Sequence, residues 1–120
     1  MENSRNKGKR GEELAMFHLV EKGFEILALN WQKQHLEIDI IAREGTTLVF
    51  AEVKSRSSVD FGDPITFVDP KKQARIIRAA NLYLEENPTE EEVRFDIIGI
   101  WYGPKGPVLE HIPDAFYPLA

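Results

Sequence analysis

The chain reads as a single α/β domain in the order helix, three strands, helix, strand, closed by a terminal hairpin. Three observations predict this. Apolar residues at helical spacing occupy residues 8–22 and stop at Gly23; three strand-like segments joined by short polar turns follow; and Asp69-Pro70 opens a second helix that Asn87-Pro88 ends before another strand. With 120 residues, 42% of them apolar and 29% charged, the composition is that of an ordinary globular domain, and one hydrophobic core over residues 1–120 is expected.

In the first helix, Leu14, Phe17 and Glu21 fall on one line, with Ala15 and Leu19 beside it. Gly8 and Gly11 near its start cost helix stability; two of them there fit either a frayed helix start or close approach of another backbone or a ligand. Glu12 and Glu13 suit the positive end of the helix dipole. Phe24–Trp31 alternates weakly as a first strand, Gln32–His35 is a polar turn, and Leu36–Ala42 is a second strand. Arg43-Glu44-Gly45-Thr46 turns the chain into a third strand, Thr47–Ser55, which makes the first three strands an antiparallel meander. Ser57–Val68, with Gly62 and Pro64, reads as an irregular loop.

Asp69 is placed to cap the second helix, with Pro70 at its first position. This helix runs to about Glu86, with Ala74, Ile77, Ala80 or Asn81, and Leu84 as its apolar line and Lys71, Arg75 and Arg78 on another face. Val93–Trp101 is a fourth strand, Gly103–Pro107 a turn without the lysine and hydroxyl of a phosphate loop, and Val108–Ile112 a short fifth strand before an irregular tail.

The third strand carries the chemistry. Extended backbone alternates its side chains, so Glu52 and Lys54 share a face with Leu48 and Phe50 at the end of a segment apolar on both faces. Charges there need a partner or a role. A turn centred on Glu44 and Gly45 sets Asp39 opposite Phe50 or Ala51, with Glu52 a diagonal neighbour about 7 to 8 Å away at the backbone. Two such carboxylates, with the Val53 carbonyl, offer the oxygen half-shell that Mg²⁺ or Mn²⁺ takes, and Lys54 could polarise a bound water or stabilise charge on a phosphate. The plain alternative is structural pairing, of Glu52 with Lys54 or Arg56, or of Asp39 with Arg94.

Net charge is -5, yet the basic residues cluster: Arg5, Lys7, Lys9 and Arg10 at the start, and Lys71, Lys72, Arg75 and Arg78 on the second helix. These, with Arg56, suit phosphates, which supply affinity but little sequence information. The absence of cysteine excludes disulfides, thiolate zinc and cysteine nucleophiles. With no signal-peptide apolar region and no membrane-length apolar run, a cytoplasmic protein without a membrane partner is expected. His18, His35 and His111 lack metal-ligand spacing and read as core or surface residues; Trp31, Trp101 and Tyr102 could stack on bases but read as core.

Gly8-x-x-Gly11-Glu12-x-x-Ala15, Asn30-Trp31, Glu37-Ile38-Asp39, Glu52-Val53-Lys54-Ser55-Arg56 and Arg94-Phe95-Asp96 resemble the YraN-type family of bacterial proteins, over roughly residues 7–100. That family in turn resembles the PD-(D/E)XK nucleases, including archaeal Holliday-junction resolvases. The resemblance implies a restriction-endonuclease-like αβββαβ core, a mixed sheet flanked by helices, with metal held by Asp39 and Glu52, Lys54 near the attacking water and Glu12 reaching in from the first helix. One departure is Leu36, where the family has glycine, which touches the backbone path beside Asp39.

The leading expectation is a metal-dependent endonuclease hydrolysing DNA phosphodiester bonds, with DNA rather than RNA as partner and branched or deformed DNA favoured over a short sequence. The alternative is a non-catalytic nucleic-acid-binding or adaptor module of the same fold; a third reading is a structural protein whose acidic set is merely paired. A homodimer would suit a symmetric junction, as in related resolvases.

Overall fold

The computed structural model describes residues 4–57 and 68–118, so the loop expected between Ser57 and Val68 lies almost wholly outside the described residues. The elements are α1 (Ser4–Glu21), β1 (Glu25–Lys33), β2 (Leu36–Glu44), β3 (Thr47–Ser57), α2 (Pro70–Glu86), β4 (Glu92–Gly103) and β5 (Gly106–Phe116). The strands form one sheet in the order β1-β2-β3-β4-β5. All neighbours are antiparallel except β3 and β4, which run parallel because α2 carries the chain back across the sheet. This is the mixed α+β sheet, flanked by helices, that the sequence predicts. No helix among the described residues is long and apolar enough to cross a membrane.

Alternation along β3 divides the core. Leu48 and Phe50 pack on the α2 side with Ile76, Ala79 and Ala80, while Val49 and Ala51 pack on the α1 side with Ala15 and Leu19. In α1 the face against the sheet is Gly11, Ala15 and Leu19, spaced by four. Of the expected line, Leu14 packs against this core while Phe17 is turned outward, 60% exposed. Because α1 begins at Ser4, Glu12 and Glu13 stand in mid-helix and the dipole does not account for them.

At Gly11 the close approach is to side chains rather than to another backbone, and α1 continues through it. A Cβ there would collide with Ser55 Oγ and lie 3.5 Å from both Ile100 Cδ1 and Tyr102 Oη. Gly11→Ala should therefore destabilise the protein by about 1 to 3 kcal/mol through overpacking, against about 1 kcal/mol of gained helix propensity. Urea denaturation checks the sign; a more stable variant would mean that α1 lifts off β3 at no cost.

The α2 cap is as expected: Lys72 N donates to Asp69 Oδ1 at 2.9 Å, with Pro70 opening the helix. Its buried face, however, is Ile76, Ala79 and Ala80, with Tyr83 packed alongside, and Ala74 is exposed. Of the expected apolar line, Ala80 is buried and Ile77 and Leu84 pack against the core; only Ala74 falls outside, where Ile76 and Tyr83 fill the face instead. Lys71, Arg75 and Arg78 are exposed, as a basic line should be.

Strand β5 extends to Phe116, in place of the short strand ending at Ile112 that the sequence predicts. Phe116 pairs with Phe95 and stacks on it at 5.2 Å between centroids, so burial holds the tail on the sheet past a bulge and the left-handed Asp114.

Candidate active site

The β2–β3 turn is the two-residue pair Gly45–Thr46, flanked by the paired residues Glu44 and Thr47, with Gly45 at φ 61°. The turn therefore sits one residue further along the chain than expected, and Ile40 pairs with Ala51. Continued by one residue, this register faces Asp39 with Glu52 directly rather than diagonally. The backbone ladder stops there, and Asp39 Oδ2 instead accepts a hydrogen bond from the Val53 amide at 2.8 Å. The amide of Val53, rather than its carbonyl, is the group engaged with Asp39.

Asn30 marks the same row on β1. It lies between the pairs Leu29 with Ile40 and Trp31 with Ile38, across from Asp39, and has φ 50°, a left-handed conformation that asparagine tolerates. The alternation breaks at this row: Ile40 packs on the α1 side and Ile38 on the α2 side with Trp31. Asn30, Asp39 and Glu52 thus form a row across three strands. Leu36 needs no glycine, because the left-handed residues of the β1–β2 turn are Gln34 and His35.

The carboxylates crowd one another. Burial, a hydrogen bond to Glu52 and its negative charge push the Asp39 pKa from 3.8 up to about 8, against the Val53 amide and Lys72. Glu12 on α1 is also raised, by burial first and then by the charge of Asp39, while a hydrogen bond with Asn30 opposes the shift. Among the described residues no group of three acidic or histidine side chains is close enough to hold a metal; Asp39 and Glu52 are the two carboxylates that meet, and the charge of Asp39 reaches Glu12. The donor chemistry fits a hard divalent cation, since two crowded carboxylates are what such an ion relieves.

Glu52 is buried, and its ion pair is with Lys72, 3.7 Å from Nζ to Oε2, rather than with Lys54 or Arg56. Lys72 precedes Ile76 by four residues and so continues the sheet-facing stripe of α2, whereas Lys71 points outward. Lys54 is half-buried and, by alternation, shares the Glu52 face. Ser55 Oγ is buried without a hydrogen-bond partner among the described residues. Of the remaining basic residues, Arg10 lies 5.5 Å over the Tyr102 ring, Arg56 donates to the Ser55 carbonyl, and Lys9 is exposed.

Asp39 is not paired with Arg94. That arginine donates to Asp96 from Nε at 2.8 Å and Nη2 at 2.9 Å, and to Glu44 from Nη1 at 2.7 Å. Asp96 is wholly buried and also accepts from His111 Nε2 at 2.7 Å and from the Asp114 amide at 3.0 Å. Burial alone would raise its pKa; the bonds from His111, Arg94 and Asp114 outweigh burial and hold it below the carboxylate range. With His111 Nε2–H committed, its Nδ1 faces His18 Nε2 at 3.2 Å. Histidines 93 positions apart meet here, a contact that local spacing could not reveal.

The profile of the family described as Uncharacterised protein family UPF0102 matches residues 11–100. The chain is 51% identical over 110 residues to a UPF0102 protein of Christiangramia forsetii, covering 92% of each chain. It is 47% identical to one of Flavobacterium psychrophilum over 110 residues, again 92% of each, and 43% identical to one of Dictyoglomus turgidum over 117 residues, 95% of this chain and 99% of that one. With the match running from the buried Gly11 to the sheet residue Ile100, this chain belongs to the UPF0102 family, the YraN-like family that its motifs resemble.

Proposed function

We propose that the Asp39–Glu52–Lys54 corner is the reaction centre of a nuclease-like hydrolase that cuts DNA phosphodiester bonds with Mg²⁺ or Mn²⁺. The observation that carries this reading is the crowding of two carboxylates, one with its pKa pushed up to about 8, at the point where β2 leaves β3. Structural ion pairs lower carboxylate pKa values; here burial first, and then the neighbouring Glu52, raise that of Asp39, and a divalent cation between the two carboxylates would relieve both costs. The resemblance of the Asp, Glu-x-Lys order to PD-(D/E)XK nucleases supports the same reading.

Asp39 and Glu52 would hold the ion, which supplies Lewis-acid charge and an activated water when bound. The Val53 amide fixes the Asp39 carboxylate by its 2.8 Å bond. Lys54 sits beside Glu52 in the chain, placed for charge that develops on the phosphate. Glu12, with its proton held more tightly than usual, and Asn30 support Asp39 from the α1 side. The exposed line of Lys71, Arg75 and Arg78 gives the phosphate backbone a footing. Among the described residues no base-reading element stands beside it, which favours DNA shape, branched or deformed, over sequence. A cytoplasmic protein acting on DNA, as a homodimer on a two-fold junction, completes the proposal.

Purified protein with Mn²⁺ should cleave at least one of single-stranded, duplex, flap and four-way DNA, and Asp39→Ala and Glu52→Ala should each abolish cleavage. Replacing Lys71, Arg75 and Arg78 by glutamine should weaken DNA binding and reduce the slope of log affinity against log salt by about 3. Salt-dependent binding without cleavage by any form of the protein would point instead to a non-catalytic nucleic-acid-binding module on the same fold.

A further inference from the structure

The acidic pair already has a cation beside it. Glu52 is 6% exposed, and a buried carboxylate without a counter-charge is costly. The structure meets that need with Lys72, which comes from the rim rather than from the core: its side chain is 38% exposed, and its backbone amide is fixed by the Asp69 cap. The contact is loose. At 3.7 Å it exceeds the roughly 2.7 to 2.9 Å of a charge-assisted hydrogen bond, and the four-carbon stem lets the ammonium leave. The charge of Lys72 also reaches Asp39, where it favours the ionised form. An ammonium so placed and a divalent ion between the same carboxylates repel each other at close range.

We propose that Lys72 is a built-in counter-cation of the Asp39–Glu52 pair, one that a divalent metal ion must displace in order to bind. This rests on reading the pair as a metal seat. Lys72 holds the metal-free protein together at this corner and sets the metal concentration at which the site fills. Its displacement returns a cation to the rim, in the first turn of the helix that presents Lys71, Arg75 and Arg78.

The test is Mn²⁺ titration by calorimetry of the wild type, Lys72→Met, Lys72→Arg and Lys71→Met at one ionic strength, with melting curves before and after metal. Lys72→Met should bind Mn²⁺ about tenfold more tightly, roughly what one nearby unit charge contributes after screening. It should also melt lower without metal and gain more on adding Mn²⁺. Lys72→Arg should stay near wild type, and so should Lys71→Met, which removes the same net charge from an outward position. If Lys72→Met does not fold, Lys72→Gln is measured in its place. Wild-type binding of Mn²⁺ with equal or weaker binding by Lys72→Met overturns the role of Lys72 alone, as does an equal gain in Lys71→Met. Failure of every variant to bind Mn²⁺ overturns the metal seat itself and this inference with it.

Discussion

Asp39→Asn is expected to stabilise the metal-free protein at pH 8.5 and to do so much less at pH 5. The Asp39 pKa is raised on folding, from 3.8 to about 8, so between those values the folded state binds more protons than the unfolded state. Stability from this group is greatest at low pH and is lost as pH rises through that window. A tenfold difference in proton affinity between the two states is worth about 1.4 kcal/mol, and allowing for the water that reaches a partly exposed, crowded pair, the loss is on the order of 3 kcal/mol. Asparagine can still accept the Val53 amide bond, so the substitution removes the charge conflict while keeping the 2.8 Å contact. Urea denaturation at the two pH values, with chelator present, measures the slope. The same variant should lose stabilisation by Mn²⁺ and DNA cleavage together. Parallel pH profiles for wild type and variant would show that the two carboxylates do not compete for one proton.

Asp96→Ala is expected to be the most damaging single change away from that corner, at about 3 to 5 kcal/mol. The carboxylate is fully buried and accepts from Arg94, His111 and the Asp114 amide, so its removal strands the Nε and Nη2 donors of Arg94, whose Nη1 keeps Glu44, together with the His111 and Asp114 N–H groups. The effect should be seen as a lower denaturation midpoint. The double variant Arg94→Met, Asp96→Leu should recover a large part of the loss, because it removes the unsatisfied donors of Arg94 at the cost of only its partly exposed pair with Glu44. Simple additivity of the two changes would contradict a coupled network. This cluster lies on the α1 side of the sheet while Glu52 lies on the α2 side, so Mn²⁺ binding by the destabilised variant should persist at temperatures where it remains folded.

Much of the fold was legible because its signals are local. Asp69-Pro70 starts a helix through one side-chain bond and one fixed φ, and the strand segments carry their own alternation. The pairing of Asp39 with Glu52 depended instead on which two residues turn the chain. Moving the turn from Glu44–Gly45 to Gly45–Thr46 changes every partner on both strands, and short polar segments leave that choice open. The facing of each helix was harder still. Phe17 is a larger apolar residue than Ala15, yet Ala15 faces the sheet, since Gly11 at the same face lets the helix lie close to Ser55.

The order of elements, the cap of α2, the outward basic line on that helix and the carboxylates on neighbouring strands all follow from residue types and their spacing. Packing of the whole fold was needed to set Asp39 against Glu52, to pair Glu52 with Lys72 rather than Lys54, and to assemble Arg94, His111 and His18 around or beside Asp96. Propensities and caps act over one turn of chain, whereas a side chain's partner is set by the sheet register and the rotation of a helix on the sheet. Both are fixed by how the whole core packs.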